Sequence, residues 1–273
     1  MSLRVTSFAA LKRGNRAFSS LGIDGRKMFY KLKGTRSIKD ERKEYERQRQ
    51  ASQSPSQFPI TKSFPFLEDR FSSAGEASGH YFHQDLLVAR EIFKRNPNRH
   101  VDVGSSIYGF VSHVASFRPI EVLDIRPLEN VVEGISFIQQ DIMNIDPTLE
   151  ISTDSLSCLH ALEHFGLGRY NDPVDYFGWQ KGLESLTLML KRGGSLYLSV
   201  PTGLIQRVEF NAHRVFSLPF LRSQLEKDYD IEKLAFVSDD GTLQTDLDPY
   251  SDAANMSFGA NYGCSIWVLR KTT

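Results

Sequence analysis

The chain has 273 residues, enough for one large domain or for one domain with an extension. With 40% hydrophobic and 24% charged residues, it has the composition of a globular protein that can fold alone. No apolar run reaches the roughly 18 residues of a membrane span, and no signal peptide is recognisable, so we expect a cytoplasmic protein. Cys158 and Cys264 lie in separate apolar runs, which favours buried free thiols over a disulfide or a metal site.

The charge is distributed unevenly along the chain. Residues 1–50 hold 14 Lys or Arg and 5 Asp or Glu, a net charge of +9 that leaves −9 for the remainder. This basic arm could contact an anionic surface, such as a membrane to which the protein binds peripherally, or it could simply be solvated. KDERKEYERQRQ predicts a charged helix that gives way to a polar linker, ASQSPSQ. We therefore divide the chain into an N-terminal extension, 1–55, and a main domain, 56–273.

Strands and helices alternate from residue 80 onward. In HYFHQDLLVAREIFKRNPN, Phe82, Leu86, Ala89 and Phe93 recur at helical spacing, and Pro97 ends the helix. Short apolar runs follow, separated by segments able to form helices: HVDVGS, EVLDIR, ISFIQQD, SLSCLHA and GSLYLSV. The tail predicts two further strands that pair antiparallel. The pattern predicts a doubly wound α/β fold whose ligands bind at the carboxyl ends of the parallel strands.

Residues suited to ligand binding end the first four predicted strands. Gly104 follows the first strand, in a turn where backbone can approach a ligand closely. Asp124, 20 residues later, can accept hydrogen bonds from both hydroxyls of a ribose. Asp141 can meet an adenine amino group, and His160 ends the fourth strand. Each alone is also explained as a turn or cap residue, but their arrival in order at successive strand ends is a stronger signal.

The turn after the first predicted strand distinguishes a nicotinamide dinucleotide from S-adenosylmethionine as the ligand. A nicotinamide-binding domain is expected to show G-x-G-x-x-G, whereas this turn has Ser106 in place of the middle glycine. A ligand without pyrophosphate does not need that glycine. S-adenosylmethionine is such a ligand, because it combines adenosine with an amino acid.

The strand-end segments resemble a known superfamily. HVDVGSS, EVLDIR, FIQQDIMNI, DSLSCLHALEHF and LKRGGSLYLSVP are similar to the successive motifs of class I S-adenosylmethionine-dependent methyltransferases. That resemblance implies a Rossmann-like seven-stranded sheet of order 3-2-1-4-5-7-6 with strand 7 antiparallel. EHFGLGRYNDPVD and FNAHRVFS further resemble a narrower group of uncharacterised proteins, first described from nematodes and found also in bacterial surface-glycan gene sets.

The resemblance implies roles for individual residues. The methionine end of S-adenosylmethionine would be held by the first turn, the ribose by the end of strand two and the adenine by the end of strand three. His160 and Glu163 would lie beside the cofactor, and the helix before strand one would close over it. The implied cofactor set is Tyr81, Gln84, Asp102, Gly104, Ser105, Asp124, Ile125, Asp141, Ile142, His160 and Glu163.

His160, Glu163 and His164 also match the H-x-x-E-H spacing of some zinc peptidases. That chemistry requires both histidines on one face of a stable helix, together with a third ligand. Here a strand-like run ends at His160, and Gly166 and Gly168 follow too soon for a long helix. The sequence context therefore disfavours a zinc peptidase, and we assign no metal ligand.

Transfer of a methyl group to a hydroxyl requires alignment of the acceptor and a base. His164 and His213 are the candidate bases because histidine titrates in the required range, although either could instead bond backbone or cap a helix. The candidate acceptor-binding residues are Arg169, Tyr170, Asp172, Asn211 and Arg214. The arginines suit an anionic acceptor or a buried carboxylate partner, and Asp172 could simply start the turn at Pro173.

We expect O-methylation of a sugar or glycan, free or linked to a nucleotide or lipid. The alternatives are a non-catalytic methyltransferase-like binding domain and a methyltransferase that acts on RNA or a small molecule. Against RNA, the main domain is acidic and shows no aromatic and basic platform.

Overall fold

The computed structural model describes residues 25–67, 69–71, 74, 75 and 77–272. The chain divides into two compact units, Met1–Glu76 and Ala77–Thr273. The boundary expected near residue 55 lies inside the first unit, and the part of the basic arm before residue 25 lies outside the described residues.

In the first unit, the described residues include one long helix, α1 (Gly25–Ala51), which contains the predicted charged segment. Ion pairs between side chains three residues apart stabilise this helix: Arg47 lies 2.6 Å from Glu44, and Arg49 lies 2.5 Å from Glu46. Among the described residues, no helix has both the length and the apolar character that crossing a membrane requires.

The second unit contains ten strands and five further α-helices. The helices are α2 (His80–Arg95), α3 (Ser112–Ala115), α4 (Gly178–Met189), α5 (Leu218–Leu225) and α6 (Asp252–Asn255). The first five strands are β1 (His100–Val103), β2 (Ile120–Asp124), β3 (Ile135–Gln139), β4 (Thr153–Leu159) and β5 (Leu190–Thr202). The last five are β6 (Arg207–Glu209), β7 (His213–Val215), β8 (Tyr229–Val237), β9 (Leu243–Gln244) and β10 (Gly263–Lys271).

Eight of these strands form one sheet in the order β3-β2-β1-β4-β5-β10-β8-β9. Strands β1 to β5 pair in parallel, and β10 runs antiparallel to both β5 and β8. The expected order 3-2-1-4-5-7-6 with a reversed seventh strand is therefore confirmed. Two short features were not predicted, the edge strand β9 and a separate hairpin of β6 and β7.

Buried apolar residues form a cluster on each face of the sheet. Helix α2 covers one face with Val88, Ala89 and Ile92, so its core stripe differs from the one suggested by the sequence. Phe82 and Phe93 are 41% and 66% exposed. The helix is rotated in this way because it also buries polar side chains, including Gln84, beside the strand ends.

Candidate active site

A pocket opens at the carboxyl ends of β1 to β4. Seven predicted site residues outside the 165–176 loop line it, namely Gly104, Asp124, Ile125, Asp141, Ile142, His160 and His164. A second opening shares Gly104, Asp124 and His160 with the first and adds Tyr81 and Ser105. Residues far apart in the sequence therefore meet at one edge of the sheet. We call the ends of β1 to β3 the cofactor side, and the end of β4 with the 165–176 loop and the β6–β7 hairpin the acceptor side.

The turn after β1 depends on a glycine and a buried carboxylate. Gly104 has φ +76°, and a Cβ atom there would lie 2.9 Å from the Cβ of Ala161. The Asp102 carboxylate accepts hydrogen bonds from the Ser105 amide at 3.0 Å, the Ser105 hydroxyl at 2.8 Å and the Ser157 hydroxyl at 2.5 Å. Burial raises the pKa of Asp102 to about 7. Asp102 lines neither opening, so it shapes the turn from below.

Asp124, at the end of β2, is engaged by a residue that the sequence analysis missed. Its carboxylate accepts hydrogen bonds from the Arg126 amide at 2.9 Å and from Nε and Nη2 of Arg126 at 2.9 and 2.6 Å. The Arg126 guanidinium also lies 4.4 Å from the ring centroid of Tyr170. The D-x-R spacing was the available signal, because a two-residue offset after a strand lets an arginine fold back onto the strand-end carboxylate.

The end of β3 provides one polar and one apolar wall. Asp141 caps a short 3-10 helix, Ile142–Asn144, by accepting a hydrogen bond from the Met143 amide at 2.9 Å. Ile142 is buried, whereas Asp141 is half-buried and lines the pocket. Asp141 thus serves as a cap while remaining at the wall of the pocket.

His160 follows β4 with φ +50°, a conformation that is costly for a residue other than glycine. Its Nδ1 lies 2.7 Å from Oε1 of Glu163, which is 1% exposed. Burial alone would lower the pKa of His160, but the Cys264 sulfur and the Glu163 carboxylate raise it well above its ordinary value. Its Nε2 is buried and has no hydrogen-bond partner among the described residues.

Tyr81 and Gln84, the two residues of helix α2 predicted to bind the cofactor, lie in different environments. Tyr81 is 62% exposed, and its ring centroid lies 5.0 Å from that of His160. Gln84 is buried and accepts a hydrogen bond from the Ser199 hydroxyl at 2.5 Å. Gln84 lines neither opening, so it supports the strand ends from behind.

The two candidate bases occupy different environments. His164 lines the pocket, and its Nδ1 lies 2.7 Å from the Ala212 carbonyl oxygen. Nη1 of Arg169 also lies 3.3 Å from Nδ1, but the contact with the carbonyl oxygen is shorter, so we assign the hydrogen to Nδ1. The lone pair of the neutral ring is then on Nε2, 3.7 Å from Oε1 of Glu163. Burial lowers the pKa of His164. His213 lies outside the pocket, with Nε2 3.3 Å from Oε2 of Glu209.

The 165–176 loop is organised by Asp172. Its carboxylate accepts hydrogen bonds from the amides of Gly166 at 2.9 Å, Gly168 at 3.2 Å and Tyr170 at 3.0 Å. Gly166 and Gly168 both have positive φ, which explains the spacing of GLG in the motif. Asp172 therefore stabilises the turn, which is one of the two roles that the sequence allowed. Asp172 and Tyr170 also line the pocket.

The remaining predicted acceptor residues are mostly structural. Arg214 is 7% exposed and donates to the Phe165 carbonyl at 2.6 Å, with the carbonyls of Glu163, Tyr176 and Asp175 at 3.4–3.5 Å. Its donors are directed to these loop carbonyls, and its role in acceptor binding stays a prediction. The other two residues are Arg169 and Asn211. Arg169, in the 165–176 loop, donates to the Ala212 carbonyl in the β6–β7 hairpin at 2.9 Å, and Asn211, in the same hairpin, is exposed.

The H-x-x-E-H segment does not form a zinc-peptidase helix. His160 follows a strand, and Leu162–His164 is a 3-10 helix of only three residues. The two histidines consequently do not share a face of a stable helix. Both cysteines are buried and unbridged, as predicted.

Solved structures match this architecture. The [4+2]-cyclase SpnF aligns with a TM-score of 0.50 and 14% identity, over 73% of this chain and 86% of its own. The Burkholderia thailandensis 1,6-didemethyltoxoflavin-N1-methyltransferase, crystallised with S-adenosylhomocysteine, has a TM-score of 0.47, 13% identity and coverage of 70% and 79%. The N-methyltransferase NodS from Bradyrhizobium japonicum WM9, also with S-adenosylhomocysteine, has a TM-score of 0.47, 12% identity and coverage of 84% and 98%. The strand order and the strand-end pocket define a class I methyltransferase fold.

Comparison of the sequence with known families identifies the family to which this chain belongs. Residues 114–271, more than half of the chain, match the family described as "Caenorhabditis protein of unknown function, DUF268", and the chain belongs to that family. No protein with a curated description matches it.

Proposed function

We propose that this protein is an S-adenosylmethionine-dependent methyltransferase that O-methylates a sugar or glycan. The observation that carries the proposal is the convergence of Gly104, Asp124, Asp141 and His160, from four successive strand ends, on one pocket. A ligand built from an amino acid, a ribose and an adenine fits that order of groups.

The order of the pocket residues along the chain corresponds to the order of the three parts of the cofactor. Gly104 and Ser105 would hold its methionine end, Asp124 its ribose, and Asp141 with Ile142 its adenine. Arg126 already fills part of the hydrogen-bonding capacity of Asp124, so ribose binding requires the guanidinium to share or release that carboxylate. When bound, the cofactor supplies a methyl group on a positively charged sulfur.

His164 is the better candidate for the base. The hydrogen bond from Nδ1 to Ala212 leaves the Nε2 lone pair free to accept a proton, and burial favours the neutral ring. Oε1 of Glu163, 3.7 Å from Nε2, would stabilise the imidazolium formed when the acceptor hydroxyl is deprotonated. His213 lies outside the pocket, and its imidazole ring centroid is 6.5 Å from that of His164.

The acceptor class is supported by the part of the pocket that the 165–176 loop lines. Tyr170 presents an aromatic ring beside the guanidinium of Arg169, 5.2 Å from the ring centroid, and Asp172 adds oxygen atoms at the pocket. Aromatic faces with neighbouring polar groups suit a polyhydroxylated ligand. The cytoplasmic location, and contact of the basic arm with an anionic surface or carrier, stay predictions.

A second candidate is a domain that keeps this fold without methyl transfer. The pairing of Asp124 with Arg126 favours it, because that pairing occupies the carboxylate expected to meet ribose. The two candidates predict different outcomes when S-adenosylmethionine is offered.

Mass spectrometry tests the proposal directly. The purified chain is incubated with S-adenosylmethionine and panels of sugars, sugar nucleotides, lipid-linked sugars and glycans, and products are screened for the addition of one methyl group. The proposal expects a methylated sugar that requires the enzyme and the cofactor. Methylation of only RNA or non-sugar compounds would refute the acceptor class, and cofactor binding without any transfer would favour the second candidate.

A further inference from the structure

Three side chains capable of binding a metal meet on the acceptor side of the sheet edge. His80 begins α2, His160 follows β4, and Cys264 is the second residue of β10. Their ligand-capable atoms all lie within 4.8 Å of one another. Because these residues lie at positions 80, 160 and 264, no spacing in the sequence could reveal the cluster.

The hydrogen bonding of His160 also leaves one of its ring nitrogens available to a metal ion. Its Nδ1 is held by the Glu163 carboxylate at 2.7 Å, which leaves Nε2 as the nitrogen available to a ligand. Within the described part of the chain, that Nε2 is buried without a nitrogen or oxygen partner, while the Cys264 side chain interacts with the same ring. The His160 side chain is 3% exposed. A carboxylate that holds one imidazole nitrogen while the other binds metal is the usual second-sphere arrangement of a metal-binding histidine.

The two rings are also suitably spaced. The centroids of His80 and His160 are 5.2 Å apart, with an interplanar angle of 8°. Two imidazoles that bind one tetrahedral ion through nitrogens at about 2.0–2.1 Å have centroids about 5 Å apart. Ligand atoms around such an ion lie about 3.3–3.6 Å apart, so the separations of up to 4.8 Å would shorten by at most roughly 1.5 Å. One of the two nearly parallel rings would also rotate, so that both in-plane lone pairs point at the ion.

We propose that His80, His160 and Cys264 bind a Zn²⁺ ion. One thiolate and two imidazoles form a nitrogen and sulfur ligand set that zinc prefers, and the fourth tetrahedral position stays open to water or a substrate oxygen. The cluster borders the pocket on the β4 and β10 side: His160 lines both openings, whereas His80 and Cys264 line neither. A zinc ion there would polarise an acceptor hydroxyl; this role rests on the proposed methyl transfer, whereas the metal site does not.

Cobalt(II) is the probe for the metal site. The full-length chain, stripped with a chelator, is titrated with Co²⁺ and its absorption is followed in the near ultraviolet, where thiolate-to-cobalt charge transfer appears. Zn²⁺ affinity is then measured by displacement, and metal content by elemental mass spectrometry. We expect one ion per chain and a thiolate band, and a wild-type chain without that band would overturn the proposal.

Matched variants locate the ligands. Cys264→Ala should abolish the thiolate band and weaken Zn²⁺ binding at least tenfold, whereas Cys158→Ala, an equal truncation of the other buried cysteine, should leave both unchanged. His80→Asn should weaken binding similarly, and His83→Asn on the same helix should not. Retention of the band in Cys264→Ala would refute the site. Calorimetry with S-adenosylhomocysteine, run in parallel, reports cofactor binding separately, so failure of the metal site is distinguishable from failure of the proposed function.

Discussion

The cofactor side and the acceptor side of the pocket are built by different means. On the cofactor side, Asp124 and Asp141 are fixed by amides or a side chain within two residues of themselves. On the acceptor side, His164 is held by a carbonyl at position 212, and Arg214 holds carbonyls of residues 163–176. The positions of Asp124 and Asp141 are therefore readable from local sequence, whereas those of His164 and Arg214 depend on contacts between distant segments.

The same difference appears in where the predicted side chains are directed. Arginines on the acceptor side resemble substrate ligands in the sequence, but in the structure they donate to backbone carbonyls, those of Ala212 and Phe165. Strand-end carboxylates on the cofactor side remain at the pocket wall.

The largest expected effect concerns the base on the acceptor side. Replacing His164 with alanine removes the neutral imidazole that lines the pocket, so turnover should fall by about 10²–10⁴ while cofactor affinity is retained. Turnover is measured with the acceptor found by mass, and cofactor affinity by calorimetry. His213→Ala is the comparison and should cost much less. Loss of turnover in His213→Ala alone would reverse the assignment, and full activity in both variants would remove histidine from the role of base.

Arg214→Met tests whether the acceptor side is held by distant contacts. The substitution keeps an apolar stem but leaves loop carbonyls without their charged donor, so the free energy of unfolding should fall by about 3 kcal/mol. The control is Arg207→Met, which removes a partly exposed guanidinium paired with Glu209 and should change the free energy by less than about 1 kcal/mol. Urea unfolding of the two variants measures both changes. Unchanged stability of Arg214→Met, with a raised KM for the acceptor, would restore the role in substrate binding that the sequence suggested.

Asp124→Ala tests the cofactor side. It removes a charged acceptor expected to meet two ribose hydroxyls, so cofactor affinity should weaken by at least about tenfold. The exposed cap residue Asp146 provides the control, because Asp146→Ala removes a carboxylate outside the pocket. Equal affinities for the wild type and Asp124→Ala would refute the ribose assignment.

The smallest expected effect is on pH dependence. Burial lowers the pKa of His164, and the base must be neutral to accept a proton, so kcat/KM should fall as pH drops through a midpoint below about 6.5. Glu163→Gln should move that midpoint lower still, because the carboxylate opposes the effect of burial. A midpoint above 6.5, or one that survives in His164→Ala, would assign the titration to another group.

The sequence predicted the parallel core well because each of its strands contains a short run in which apolar residues recur, although β5, with 13 residues, is longer than the run that predicted it. Strand β9 and the β6–β7 hairpin escaped prediction because they have only two or three residues each. At the site, Asp124 and Asp141 were predictable from position alone. The hydrogen bonds of Arg214, the burial of Asp102 and the meeting of His80 with Cys264 were not, because each depends on how distant segments pack.

Isothermal titration calorimetry of the full-length chain with S-adenosylmethionine and S-adenosylhomocysteine tests the proposed function most directly. The convergence of four strand ends on one pocket predicts that both ligands bind at a single site, with one equivalent per chain. Affinity for each should drop at least about tenfold in Asp124→Ala. Absence of binding by the folded wild-type chain would contradict the proposal that this protein is a methyltransferase.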